Sequence, residues 1–245
     1  MKQGLFEITE NRRIADNVYL IRLNGDTSAV ERPGQFVNIR LSGFYLRRPL
    51  SVCNLENETL TLIYKTVGAG TLALSRLAPG TALDVLTGLG NGYDLSASGP
   101  SPLLIGGGAG VPPLYWLCRE LVARGAKPSV VLGFNTAGDV FGENEFRRLC
   151  GNGVTVVTVD GSAGKKGFVT DHLPSGYSYF YTCGPEPMLR AVFNAAATSG
   201  QFSFEERMGC GFGACMGCSC LTVTGSKRIC REGPVLRKEE IIWKN

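Results

Sequence analysis

The sequence predicts a multidomain β plus α/β chain: an antiparallel β-barrel over residues 1–98, a parallel-sheet α/β domain over 99–200, and a small cysteine-rich domain over 201–245. Three observations carry that reading. The first part holds short β-branched and aromatic runs punctuated by glycine and proline, and the second alternates apolar strands with helices. In the third, "CGFGACMGCSC" at 210–220 places four cysteines in eleven positions.

Composition narrows the function. The 245 residues are 44% hydrophobic and 19% charged, which suits folded domains rather than disorder. A net charge of +4, with Lys and Arg dispersed, leaves no footprint for nucleic acid. No apolar run approaches the roughly 18 residues of a membrane span. The segment "MKQGLFEITENRRIADN" has no apolar signal region, so a cytoplasmic, reducing location is expected. Disulfides seldom persist there and nine cysteines is an odd number, so the clustered thiols read as ligands before they read as a disulfide framework.

In the barrel, "NVYLIRLNGD" and "GQFVNIRLSG" are strands, and "SVCNLENETLTLIYKTVG" is two strands joined through the polar "ENE". Turns at Pro33-Gly34, Pro79-Gly80 and Gly88 to Gly92 have the spacing of a small antiparallel barrel. Nothing before residue 98 reads as helix. "RRPLS" (47–51) sets guanidinium groups and a hydroxyl beside a strand, and "YKTVGAGT" (64–71) adds a lysine, two glycines and a threonine. These are the groups a pyrophosphate needs. Taken singly, each also reads as a surface arginine pair or a hairpin turn. Together in one barrel, ahead of a nucleotide-like domain, they favour a shared cofactor site.

"SASGP" (96–100) marks the boundary. "SPLLIGGGAGVPPLYWLCRELVARGAKPSVVLGF" then gives an apolar strand, a glycine loop, a helix with Leu114, Leu117, Leu121 and Val122 on one face, and a second apolar strand. Wholly apolar strands joined by helices imply a parallel sheet covered on both faces. "GENEFRRLC", "VTVVTVD", "YSYFYTCGP" and "EPMLRAVFNAAATSG" continue the alternation to about residue 200. The loop from Gly106 to Pro112 follows a strand and opens a helix, a Rossmann-like setting in which backbone N–H groups face a phosphate. Pro112 or Pro113 suits the first helical turn. The loop departs from the dinucleotide fingerprint at Pro113, and no acidic residue clearly follows the next strand, where "GFNTAGD" stands. A tight turn without a ligand is the competing reading.

Cys210, Cys215, Cys218 and Cys230 keep the C-x4-C-x2-C…C order of plant-type [2Fe–2S] sites. Gly209, Gly211, Gly213 and Gly217 let the backbone close round an anionic cluster and aim N–H groups at sulfur. Structural zinc competes, but it wants two paired knuckles and Cys230 stands alone. Cys220 is either a spare ligand or a small buried residue. Nicotinamide exchanges hydride, a cluster exchanges single electrons, and a flavin converts between them. The three modules therefore suggest one line of carriers.

The barrel, the α/β domain and the "CGP" strand end resemble the ferredoxin–NADP reductase superfamily. "EERMGCGFGACMGCSC…RICREGPVL", with "RRPLS", "GGGAGVPPLY" and "GFVTD", resembles the electron-transfer subunits of class 1B dihydroorotate dehydrogenases over nearly the whole chain. The resemblance implies FAD in the barrel, a [2Fe–2S] cluster in the tail and NAD as a diffusible substrate. It also implies an FMN-containing catalytic subunit that oxidises dihydroorotate to orotate in pyrimidine biosynthesis, in a heterotetramer with two of each chain. Electrons would pass from that FMN through the cluster and FAD to NAD⁺. Carried over by position, Arg48, Pro49, Leu50 and Ser51 match the R-x-Y-S flavin motif, with Leu50 where many relatives have tyrosine. Ile63, Tyr64 and Lys65 occupy the next flavin-facing strand, and Gly70 with Thr71 the pyrophosphate turn. Gly106, Gly107, Gly108, Gly110, Val111 and Pro112 match the nicotinamide-nucleotide loop, and Cys183, Gly184 and Pro185 the strand end near the nicotinamide.

No catalytic residue is expected in this chain. Its only histidine, His172 in "VTDH", reads as a helix-start or surface residue, and no nucleophile with a base assembles around it. Two other functions share parts of the pattern: a flavin and iron–sulfur subunit of a hydrogenase or transhydrogenase complex, and a zinc-stapled binding module without redox cofactors. A tail of about 45 residues is too short for a core of its own, so it should pack on the barrel or the nucleotide domain. Phe212 and Met216 there either meet the catalytic subunit or cover their own cluster.

Overall fold

The barrel closes through six strands, β1 (Lys2–Ala15), β2 (Val18–Asn24), β3 (Phe36–Ile39), β4 (Arg48–Glu56), β5 (Thr59–Lys65) and β6 (Ala82–Leu89), in the order β1-β2-β5-β4-β3-β6. This computed structural model describes residues 1–243, so the last two positions of the expected 201–245 tail lie outside the described residues. The β4–β5 hairpin turns at Asn57 and Glu58, whose φ of 46° and 62° match the twist of the flanking strands. In β5, Leu60, Leu62 and Tyr64 are buried in the barrel core while Ile63 and Lys65 project from the other face. The barrel region departs from the sequence reading in holding helix: a short 3-10 turn at Leu95–Ala97 and one longer element. A helix, α1 (Ala69–Leu74), interrupts the barrel; its six residues are too few to show an apolar period, and its start is set by a cap in which Thr71 Oγ1 accepts the N–H groups of Val67 and Gly68 at 3.0 and 3.3 Å.

The second domain is built on β7 (Leu103–Gly107), α2 (Pro112–Ala123), β8 (Ser129–Phe134), α3 (Glu143–Cys150), β9 (Val154–Thr158), β10 (Lys165–Lys166), β11 (Phe180–Cys183), α4 (Glu186–Ala195) and β12 (Gly200–Ser203). Its strands run parallel, in keeping with the apolar, buried runs of the central β7 and β8. Leu114, Leu117 and Leu121 of α2 and Phe146 of α3 cover one face, and Leu189 and Val192 of α4 cover the other. The tail forms a hairpin, β13 (Ser219–Thr222) with β14 (Gly225–Arg228), and then β15 (Val235–Arg237), which pairs antiparallel with β12. The sheet, in the order β10-β9-β8-β7-β11-β12-β15, therefore extends past residue 200 and takes its edge strand from the cysteine-rich segment.

The parts are held together by specific contacts. Trp116 of α2 lies in the barrel's core cluster, and Arg119 donates to Glu56 Oε1 at 2.6 Å and to the Leu55 carbonyl at 3.1 Å. Phe36, Leu86 and Leu89 of the barrel pack with Cys218, Ile229, Cys230 and Leu236 of the tail. Asn91 pins the same joint: its Nδ2 donates to the carbonyls of Glu232 and Val235 at 2.9 and 2.8 Å, and its Oδ1 accepts the Val235 N–H at 3.1 Å. The tail thus borrows its core from both domains.

Candidate functional site

Open parallel sheets bind ligands beyond the carboxyl ends of their strands. A cavity of about 620 Å³ opens there, walled on the other side by the barrel. Gly107, Gly108 and Pro112 line it from the glycine loop, Pro185 from the turn after β11, and Ile63, Tyr64 and Lys65 from β5. Gly106, Gly110 and Val111 are buried behind that lining. A Cβ on Gly110 would stand 2.3 Å from the Cys183 carbonyl, so only glycine lets the loop rest on the strand end that carries Cys183 and Gly184. Gly108 has φ of 50°, which glycine adopts at little cost. Burial pushes the Cys183 thiol up to about 12.

Sequence reasoning missed the acidic wall of this cavity. Asp139 lines it and accepts a hydrogen bond from Lys65 Nζ at 3.0 Å, an ion pair that joins barrel to nucleotide domain. The signal was present in "GFNTAGD", whose aspartate lies five residues beyond the end of β8 rather than at it. Tyr64 borders the cavity, but its ring belongs to the barrel core, where it stacks on Tyr19 at 5.9 Å and its hydroxyl donates to Asn11 Oδ1 at 3.1 Å. Burial drives its phenol well above the usual range.

Arg48, Pro49, Leu50 and Ser51 sit on β4, away from the cavity lining. The Arg48 guanidinium lies 4.8 Å from the centre of the Phe44 ring, and a Cβ on Gly70 would meet Arg48 Nε at 2.0 Å. The flavin-like motif and the α1 turn are therefore brought side by side, with a cation and hydroxyls on one ledge and Gly70 buried against the guanidinium. That donor set fits the diphosphate of an FAD. Thr71 is already engaged, since its hydroxyl caps α1 and donates to the Gly68 carbonyl at 3.1 Å.

The thiol loop is wound by left-handed turns at Gly211, Gly213 and Met216. The N–H groups of Ala214 and Cys215 point at Cys210 Sγ at 3.2 and 3.4 Å, that of Cys210 at Cys215 Sγ at 3.4 Å, and that of Cys230 at Cys218 Sγ at 3.4 Å. Among the described residues, no three His, Cys, Asp or Glu side chains are gathered as a ready-made metal site. The chemistry of the loop nevertheless fits a cluster: desolvation raises the Cys210 thiol, but the backbone N–H groups of Phe212 and Cys215, the Cys215 thiol and the Ala214 N–H outweigh it and bring it to about 6. Cys220 differs. It lies on β13 opposite Lys227, half-buried, and burial pushes its thiol up.

Two side chains that no sequence signal marks hold this loop. Arg228 donates to the Gly213 carbonyl at 2.7 Å. Asn38, buried on β3, donates from Nδ2 to the Cys210 carbonyl at 3.3 Å, and Gly211 leaves no room for a Cβ beside it, 2.3 Å from the same nitrogen. Asn38 is the register partner of Pro49, so the loop rests one strand away from the flavin-like motif. His172 stands apart in a short turn, with Nε2 3.0 Å from the Lys166 carbonyl. No helix among the described residues is long and apolar enough to cross a membrane.

Comparison with known proteins agrees with this geometry. Residues 205–242 match the iron-sulfur cluster binding domain of dihydroorotate dehydrogenase B, and residues 104–194 match the oxidoreductase NAD-binding domain. A ferredoxin NADP⁺ reductase from Neisseria gonorrhoeae, solved with bound FAD and NADP, shares the fold at 15% identity with a TM-score of 0.67, over 80% of this chain and 90% of that one. An NADH-dependent reduced ferredoxin-NADP oxidoreductase structure, described for flavin-based electron bifurcation, superposes with a TM-score of 0.85 at 30% identity, covering 98% of this chain and 90% of that one. The dihydroorotate dehydrogenase B (NAD(+)) electron transfer subunit of Geobacillus sp. (strain WCH70) is 42% identical over 258 aligned positions, 99% of each chain. Barrel, nucleotide cavity and thiol loop define a flavin- and nicotinamide-linked reductase with an iron–sulfur segment of its own. The chain belongs to the family of dihydroorotate dehydrogenase B electron transfer subunits.

Proposed function

We propose that this chain carries electrons from the FMN of a dihydroorotate dehydrogenase catalytic subunit to NAD⁺, by way of a [2Fe–2S] cluster on Cys210, Cys215, Cys218 and Cys230 and an FAD on the barrel. The observation that carries the proposal is the Asn38 bridge. It ties the thiol loop to the strand paired with the flavin-like motif, while Lys65 of the same barrel lines the nucleotide cavity. A bound FAD supplies the exchange between hydride and single-electron chemistry.

The chain's own groups bind and orient. Arg48 neutralises diphosphate charge, Gly70 permits close backbone approach, and Ser51 and Thr71 donate hydrogen bonds, Thr71 by giving up its bond to the Gly68 carbonyl. The nicotinamide nucleotide is held by the loop from Gly106 to Pro112 and by Cys183, Gly184 and Pro185. Residues 1–98, 99–200 and 201–245 serve as flavin, nucleotide and cluster units, a division by chemistry rather than by sheet edge. Substrate oxidation belongs to the catalytic subunit, two copies of which join two of this chain. A cytoplasmic location is part of the same reading, because a reducing compartment keeps ligand thiols available.

The test is reconstitution. The chain alone should accept hydride from NADH and pass electrons to an artificial acceptor, and it should remain oxidised with dihydroorotate. Mixed with its FMN-containing partner, it should support dihydroorotate-dependent NAD⁺ reduction. Activity with dihydroorotate in this chain alone would overturn the division of labour, and failure to form a complex would assign it another electron-transfer partner.

A further inference from the structure

Cys118 on α2 and Cys150, the last residue of α3, bring their sulfur atoms to 3.3 Å. Neither takes part in the electron path above. Cys118 is buried, whereas Cys150 is half-buried and open to small solutes. The two thiols are unequal in environment. The hydrogen bond to Cys150, and then burial, push the Cys118 thiol far up, while the same bond draws the Cys150 thiol down against its burial. Cys150 is thus the accessible nucleophile and Cys118 the sheltered second thiol. Directly after Cys150 the chain makes a short 3-10 turn, Gly151–Gly153, in which Gly151 has φ of 55°, so α3 ends at the cysteine itself. The sulfurs need only close from 3.3 Å to the roughly 2.0 Å of a disulfide bond.

We propose that Cys118 and Cys150 form a peroxide-responsive dithiol that closes into an intrachain disulfide between α2 and α3. The Cys150 thiolate attacks one oxygen of hydrogen peroxide, the O–O bond breaks, and with one proton taken up the products are a sulfenic acid and water. The Cys118 sulfur then attacks Cys150 Sγ, the S–O bond breaks, and hydroxide leaves with the Cys118 proton as a second water. Two thiols are oxidised by two electrons and one peroxide is reduced to two waters. The staple lies on the two helices that cover one face of the sheet, and neither cysteine lines the nucleotide cavity. Its effect is therefore protective, because it keeps Cys150 from the irreversible sulfinic state without reshaping the nicotinamide site.

The experiment treats the cofactor-loaded protein with hydrogen peroxide, alkylates remaining thiols under denaturing conditions, and maps unreduced peptides by mass spectrometry. The expected result is a cross-linked Cys118–Cys150 peptide pair with loss of two free thiols, reversed by dithiothreitol, while the buried Cys53 stays free. In Cys118→Ala, Cys150 should stall as a sulfenic acid that dimedone captures, and wild type should give little such adduct. Recovery of wild-type Cys150 as sulfinic acid without the cross-link overturns the proposal. So does recovery of both cysteines as free thiols once the exposed Met216 has become sulfoxide.

Discussion

A methyl group at Gly70 would stand 2.0 Å from Arg48 Nε, so this position decides where the guanidinium lies. Gly70→Ala should push Arg48 off the ledge and weaken FAD binding by about 1.5–3 kcal/mol, roughly ten- to hundredfold. Flavin retained on gel filtration measures it, and unchanged affinity would move the diphosphate site elsewhere. Among the thiols, Ser at Cys210, Cys215, Cys218 or Cys230 should lower bound iron and sulfide, whereas Cys220→Ser should leave both unchanged. Loss of the cluster in Cys220→Ser with retention in Cys218→Ser would reverse that assignment.

At the scale of elements, Asp84 of β6 joins barrel strands that are distant in sequence. Its carboxylate accepts Gln3 Nε2 of β1 at 3.0 Å and Arg47 Nη1 and Nη2, next to β4, at 3.0 and 2.9 Å. The Arg47 bonds, set against partial burial, hold the carboxyl below its ordinary range. Because the folded state favours the ionised form, this contribution is complete above the unfolded value of about 4 and disappears as pH falls through the lower folded value. Urea midpoints should therefore drop on acidification, and Asp84→Asn should show a shallower acid limb. Equal limbs in both proteins would mean that Asp84 does not set the acid stability of the barrel.

At the scale of the molecule, the tail is a borrower. Asn91→Ala removes three hydrogen bonds at the joint and leaves the Glu232 carbonyl and both Val235 backbone groups without their partner. The local cost should be about 1–3 kcal/mol. Amide exchange should quicken over the tail and β12 while the barrel keeps its protection; uniform exchange across the chain would show that the tail does not open separately.

The sequence by itself determined the barrel, the α/β alternation, the glycine loop and the thiol spacing, because each is written in neighbouring residues: turn chemistry, apolar period, or the reach of a loop round one centre. It determined α1 poorly, since six capped residues carry no period. Only the tertiary structure decided which distant groups meet. Asn38 reaches the Cys210 carbonyl across 172 positions, Cys118 finds Cys150 across 32, and β15 joins a sheet whose other strands end before the cysteine-rich loop begins. Such meetings depend on chain closure and on how two domains pack, and a lone asparagine or cysteine carries no local mark of the partner that packing will bring to it.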